Sequence, residues 1–97
     1  MNRHSGSRAY RPDPEVRHVV QAIGIELVNP RTRITHTLGY PESAIWDMAS
    51  RGYDLDRIAT ALAVTARLTL VHARLLVVDT LEALEAKGFV TSETEGG

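Results

Sequence analysis

Residues 33–52, RITHTLGYPESAIWDMASRG, contain the change from strand to helix that decides the fold. Apolar and polar side chains alternate before Gly39, so Ile34, His36 and Leu38 share one face of a strand. A proline follows at position 41, where a first helical turn loses no hydrogen bond, and apolar residues then recur with the helical period. The stretch therefore predicts a half-buried strand that leads into a helix.

Two further strands are expected before this stretch, because β-branched residues are frequent there. Their apolar positions are Val16, Val19 and Val20 in the first run, and Ile23, Ile25, Leu27 and Val28 in the second. The sequence Asn29-Pro30-Arg31-Thr32 follows, with a proline suited to the first central position of a turn and an asparagine before it. This pattern predicts a small antiparallel sheet with a hairpin between its second and third strands.

Three helices are expected after the strands, over residues 41–51, 55–63 and 70–87. Asp54 and Thr69 stand at N-cap positions, where a side-chain oxygen accepts a hydrogen bond from the first turn. Gly52 and Gly88 follow the first and third helices, as expected for residues that end a helix. The predicted fold class is α+β, with a small antiparallel sheet followed by three helices.

The third predicted helix carries leucines on both flanks of its core-facing side. The core face is predicted to contain Leu70, Val71, Ala73, Val77, Val78, Leu81 and Leu84. Leu75 and Leu76 fall on opposite flanks, and the flank of Leu76 also carries Thr80, Ala83 and Lys87. This pattern favours a wide buried face on a long central helix, with a docking groove or dimer surface along the Leu76 flank as the other interpretation.

The chain has 97 residues, 43% of them hydrophobic, and no cysteine. This length suits one domain with a single core and excludes a two-domain enzyme, and the absence of cysteine excludes disulfides. Residues 1–14 are predicted to form a flexible arm and residues 92–97 a frayed tail, because both are polar. No apolar run is long enough to span a membrane, and no signal peptide is recognisable, so a cytoplasmic protein is expected.

Catalysis is not predicted, because residues that could perform it do not occur in suitable arrangements. The four histidines lack metal-ligand spacing, no serine lies in a Gly-x-Ser-x-Gly setting, and no glycine-rich phosphate loop is present. We therefore expect a protein without catalytic residues, bound metal or cofactor.

A winged-helix DNA-binding regulator is the alternative hypothesis, since three helices followed by Phe89-Val90 suit that fold. The charge distribution disfavours it. Six arginines and three acids give the chain a charge of +3 up to Tyr40, whereas five cations and nine acids give -4 in the remainder. The third helix would therefore meet phosphates with like charge, and only Arg3, Arg8 and Arg11 of the arm favour DNA.

Several short motifs occur in a recognisable order. They are Leu38-Gly39-Tyr40-Pro41-Glu42-Ser43-Ala44-Ile45-Trp46-Asp47-Met48, Arg51-Gly52, Ile58-Ala59, Leu62-Ala63, Val78-Asp79 with Leu81 and Leu84, and Lys87-Gly88-Phe89-Val90. In this order they resemble the PqqD-like family over about residues 16–90. Two positions depart from the family pattern: Gly39 replaces a common asparagine, and Arg51 replaces the aspartate of an Asp-Gly pair.

The resemblance implies a RiPP recognition element, a winged-helix-like domain with a three-stranded antiparallel sheet packed on three helices, here residues 15–91. Such domains act as non-catalytic peptide chaperones: they bind the leader segment of a ribosomally synthesised precursor peptide and present it to a modifying enzyme. The implied partners are this leader peptide and a peptide-modifying enzyme, often a radical SAM enzyme. A homodimer is a further option, whereas neither nucleic acid nor a membrane is an expected partner.

The resemblance also implies that the leader adds as a strand to the edge of the third strand and lies in a groove beside the third helix. The implied edge consists of Arg33, Ile34, Thr35, His36, Thr37 and Leu38, and the candidate groove wall of Leu76, Thr80 and Ala83. Leu75 with Arg74 is the alternative flank. If Arg33 and Lys87 bind the leader, rather than protecting the edge against aggregation, an acidic leader is expected.

Overall fold

A computed structural model describes residues 8–94 of the chain and has an α+β fold. Its elements in that range are β1 (Arg8–Pro12), β2 (Arg17–Gln21), β3 (Gly24–Asn29), β4 (Ile34–Leu38), α1 (Glu42–Ser50), α2 (Leu55–Thr65), α3 (Leu70–Ala86) and β5 (Val90–Thr94). The predicted fold class is confirmed, as is the order of a three-stranded antiparallel sheet followed by three helices.

The three predicted strands form one antiparallel sheet in the order β2-β3-β4. The hairpin between β3 and β4 forms at the predicted turn. There the Asn29 side-chain oxygen accepts hydrogen bonds from the backbone N–H groups of Arg31 and Thr32, at 3.0 and 3.4 Å. Such a bond to the residue two positions on is the reason asparagine favours turns.

The helices begin and end close to the predicted residues. The Asp54 side chain accepts a bond from the Arg57 backbone N–H, and Thr69 accepts one from His72, so both predicted N-caps are confirmed. Gly88 has a φ of 83° and ends α3 in the left-handed region that favours glycine. None of the helices in residues 8–94 has the length and apolar run needed to cross a membrane.

The ends of the chain differ from the prediction. Residues 8–12, assigned to a flexible arm over residues 1–14, form β1, and residues 92–94, assigned to a frayed tail, belong to β5. The two strands pair antiparallel, and Tyr10 on β1 is only 3% exposed. The polar composition of these residues did not predict the two strands, because they depend on pairing between distant segments and on the burial of the Tyr10 ring. Asp13 and Pro14, also assigned to the arm, follow β1, and the Asp13 backbone N–H donates a 3.0 Å hydrogen bond to the Phe89 carbonyl. Residues 1–7 and 95–97 lie outside the described residues.

The core is formed between the helices and the strands. Leu27 of β3, Trp46 of α1, Leu62 of α2 and Val77 of α3 are all fully buried. Phe89, between α3 and β5, is fully buried with them. The core therefore fixes α3 relative to the three-stranded sheet, which positions the surface described below.

The core face of α3 is narrower than predicted. Leu70 and Val71 are 53% and 67% exposed, although both were assigned to this face. Val71 is about 120° from Val77 around the helix axis, and Leu70 lies in the first turn, where the helix has fewer neighbours. Thr80, assigned to the flank, is instead 8% exposed and borders the core.

Replacing Asn29 with alanine is expected to destabilise the protein by about 2 kcal/mol. Its buried amide group donates a 3.0 Å hydrogen bond to the Gly88 carbonyl, which joins β3 to the end of α3. Alanine would leave that carbonyl unsatisfied and remove the two turn bonds. Equilibrium denaturant unfolding measures the change, with Thr32→Ala in the same turn as the control. A cost below about 0.5 kcal/mol for Asn29→Ala would contradict this assignment.

Candidate functional site

The outer strand β4 offers a free edge. Within the described residues it pairs with β3 on one side and with no strand on the other. Alternate backbone N–H and C=O groups of such a strand point away from the sheet, where a further strand can bind them. The edge is short, since β4 has five residues and is preceded by Arg33 in a left-handed turn conformation with φ 64°.

A groove of about 300 Å³ lies beside β4, between this strand, α3 and the start of α1. Its lining residues are His36, Leu38, Glu42, Leu76, Asp79, Thr80, Ala83, Leu84 and Lys87. Leu38 and Leu84 are buried, so the bottom of the groove is apolar, whereas its margins carry charged side chains. A free strand edge and an apolar groove thus lie next to each other.

Five predicted site residues line this groove: His36, Leu38, Leu76, Thr80 and Ala83. The three on α3 are spaced by four and three positions, which places them on one side of a helix. Thr80 is buried, Leu76 is half-buried and Ala83 is exposed. This flank of α3 therefore passes from the core to the solvent beside β4.

The other predicted edge residues do not line the groove. They are Arg33, Ile34, Thr35 and Thr37, all of them exposed. Because side chains alternate along a strand, Thr35 and Thr37 face the side of the sheet opposite to that of His36 and Leu38. A contribution of these four positions to the groove would therefore come from the backbone groups that point away from the sheet at alternate residues.

The alternative flank of α3 does not border the groove either. Leu75 is 57% exposed on that flank. Arg74 forms an ion pair with Asp56 of α2, so its guanidinium is directed toward the neighbouring helix. Among the two flanks that the sequence left open, the Leu76 flank is the one that lies beside β4.

The acidic side of the groove was missed by the sequence analysis. Glu42 begins α1 and Asp79 lies three residues after Leu76 on α3. The spacing of three residues from Leu76 could have predicted that Asp79 borders the same groove, because residues three apart are neighbours on a helix. No comparable signal exists for Glu42, since its place depends on how α1 packs beside α3.

His36 and Lys87 form the opposite, basic side of the groove. The Lys87 ammonium group lies 3.4 Å from His36 Nδ1, and the His36 and Phe89 rings are 6.2 Å apart. Burial lowers the pKa of His36, and the nearby Lys87 charge lowers it further. The imidazole is therefore neutral at neutral pH, while Lys87 carries the positive charge at this end.

Replacing Lys87 with glutamine is expected to raise the pKa of His36, because it removes the neighbouring positive charge. The pKa should nevertheless stay below the ordinary histidine value, since burial is the larger cause and the substitution leaves the ring in place. A titration of the His36 ring protons by NMR, in the unmodified protein and in Lys87→Gln, measures the change. An unchanged pKa would show that the two side chains are not close in solution.

No other part of the described chain offers an obvious reactive centre. Within residues 8–94, no three histidine or acidic side chains lie together in an arrangement that could hold a metal ion. A second cavity, of about 310 Å³, lies between β1 and the end of α1 and is lined mainly by small side chains and by Tyr10, Arg11 and Tyr53. The groove beside β4 differs from it in its lining, which includes Leu38, Leu76 and Leu84 along an edge strand of the three-stranded sheet.

Comparison with known proteins supports the fold. No protein-family model matches the chain, and no curated protein matches it in sequence. Among solved structures, the chain is similar to one described as lasso peptide synthetase B1 complexed with the leader peptide, with a TM-score of 0.80. The sequences are 17% identical, and the match covers 86% of this chain and 98% of the other. At that identity, the likeness shows that the two chains share a fold.

Proposed function

We propose that this protein binds the leader segment of a ribosomally synthesised precursor peptide and presents it to a modifying enzyme. The observation that carries the proposal is the free edge of β4 beside an apolar groove. The neighbour of similar fold is described as complexed with a leader peptide, which agrees with this use of the fold. The resemblance of the sequence motifs to the PqqD-like family favours the same role.

Leader binding would combine two kinds of contact. The peptide backbone pairs with β4 and supplies affinity with little dependence on sequence, while alternate side chains enter the groove and supply selectivity. One apolar side chain buried against Leu38, Leu76 and Leu84 contributes about 1.5–3 kcal/mol. The edge thus holds a peptide in an extended conformation, and the groove selects which peptide is held.

The side chains of the groove support a role in binding and presentation rather than in catalysis. Its polar side chains, from His36, Glu42, Asp79, Thr80 and Lys87, include no nucleophile paired with a base and oriented by a third group. The reaction itself is therefore assigned to a separate peptide-modifying enzyme, of the radical SAM class if the PqqD-like resemblance extends to the partner. Homodimer formation stays a prediction.

A short precursor reading frame should lie next to this gene, and calorimetric titration with the peptide that it encodes tests the proposal. We expect the full precursor and its isolated leader to bind with similar affinity, whereas the isolated core peptide should not bind. Binding of the core but not the leader, or of neither, would contradict the proposal. A DNA shift assay across a salt series is the parallel test of the alternative, for which tight, steeply salt-dependent binding is required.

A further inference from the structure

The groove is charged oppositely at its two ends. Glu42 begins α1 and Asp79 lies in the middle of α3, whereas Lys87 follows the last turn of α3 beside His36. The apolar side chains of Leu38, Ala83 and Leu84 lie in the same groove. A bound strand would therefore pass from an acidic end to a basic end across an apolar centre.

The direction of β4 relative to these ends follows from two contacts. Ile34 pairs with Asn29, whose side chain bonds the Gly88 carbonyl just beyond α3, so β4 begins at the basic end. His36 lies against Lys87, and Glu42 follows the last residue of β4 by four positions. β4 therefore runs from the basic end of the groove toward its acidic end.

An added strand is expected to run antiparallel to β4. Every strand pair in the described residues is antiparallel, and antiparallel pairs are the more stable kind per residue. The N-terminal part of the peptide then lies at the acidic end, near Asp79, and its C-terminal part lies at the basic end, near Lys87. The order of charges along the peptide consequently matters as well as their number.

The spacing of the charges can be derived from standard geometry. Asp79 and Lys87 are eight positions apart on α3. At a rise of 1.5 Å per residue this is about 12 Å along the helix. An extended strand covers about 13 Å in four residues, and residues two and four apart point to the same side. Positions i, i+2 and i+4 of the peptide thus fit the acidic end, the apolar centre and the basic end.

We propose that the protein selects leaders with a basic residue at position i, an apolar residue at i+2 and an acidic residue at i+4, in that order from the N-terminus. The inference rests on the proposed leader binding and deepens it. It also modifies the expectation of a simply acidic leader, because Glu42 and Asp79 repel acidic side chains at one end of the groove. Charge order rather than net charge becomes the basis of selection.

Two synthetic peptides of eleven residues and identical composition test this inference. Both have a threonine–valine background and leucine at position six; one carries lysine at position four and glutamate at position eight, and the other has these two exchanged. We expect the first peptide to bind about tenfold more tightly than the second at low ionic strength, because its lysine and glutamate each meet an opposite charge at an exposed site. This preference should shrink with added salt. Chemical shifts of the backbone amides of β4 and α3 in the ¹⁵N-labelled protein give both affinities and the binding site.

A charge-swapped variant, Asp79→Lys combined with Lys87→Glu, should reverse the preference between the two peptides. Both side chains are exposed, so the fold is expected to persist, which the dispersion of the amide spectrum verifies. Equal affinities, tighter binding of the second peptide, or no shift at the groove with either peptide would overturn the inference. The leader of the precursor peptide expected next to the gene is titrated in parallel. If it also leaves β4 and the groove unmoved, leader binding itself is wrong, whereas if it binds there, only the charge order is wrong.

Discussion

Tryptophan in place of Ala83 is expected to weaken leader binding by about a hundredfold while leaving the protein folded. Ala83 is exposed and lines the groove, so an indole at this position would occupy space that leader side chains require. Excluding one or two apolar side chains from burial costs about 3 kcal/mol. Because each 1.4 kcal/mol corresponds to a factor of ten, this loss gives the expected hundredfold change.

Leu75→Trp is the matched control for this effect. It introduces the same side chain on the same helix, at an exposed position outside the groove and on the flank that the sequence offered as the alternative. Calorimetric titration with the leader should give an affinity within about threefold of the unmodified protein, with the surrounding surface undisturbed. If Leu75→Trp abolishes binding and Ala83→Trp does not, the leader binds on the other flank of α3.

Alanine in place of Gly24 is expected to destabilise the protein by about 3 kcal/mol and to disturb the end of β4. Gly24 has a φ of 143°, a conformation that residues with a side chain rarely adopt. A Cβ atom at this position would also overlap the backbone carbonyl oxygen of Leu38. Since the clashing group is backbone rather than a flexible side chain, β3 and β4 must move apart to relieve the overlap.

Gly39→Ala provides the control in the adjoining segment. A Cβ atom there has no neighbour within 4 Å. The free energy of unfolding should therefore change by less than about 1 kcal/mol, in either direction. Equilibrium denaturant unfolding of the two variants measures the difference. Similar stabilities for Gly24→Ala and Gly39→Ala would show that the close approach of Gly24 to Leu38 is absent in solution.

Local signals in the sequence predicted most of the framework around the groove. Alternation placed His36 and Leu38 on the inner face of β4, and the caps Asp54 and Thr69 fixed where α2 and α3 begin. Helical spacing placed Leu76 and Leu75 on two alternative flanks of α3, and the family resemblance implied a groove beside one of them. Such features depend on residues close in the chain, and for that reason they were accessible without the structure.

Features that depend on contacts between distant segments could not be predicted from local sequence patterns. β1 was assigned to a flexible arm because its order comes from pairing with β5, some eighty positions later. Likewise, the acidic end of the groove depends on Glu42 and Asp79 converging from two helices. Val71 was placed in the core because the assumed arc was too broad, although its phase differs from that of Val77.

An NMR titration of the ¹⁵N-labelled protein with the leader of the precursor peptide expected from a reading frame next to its gene tests the central claim most directly. The backbone amides of residues 33–38 and those of α3 around Leu76, Thr80 and Ala83 should shift together and saturate, because β4 pairs with the peptide and the groove receives its side chains. Amides of α2, which does not line the groove, should change little. If the amides of β4 and the groove stay unmoved at high leader concentration, the protein does not bind leader peptides at this site.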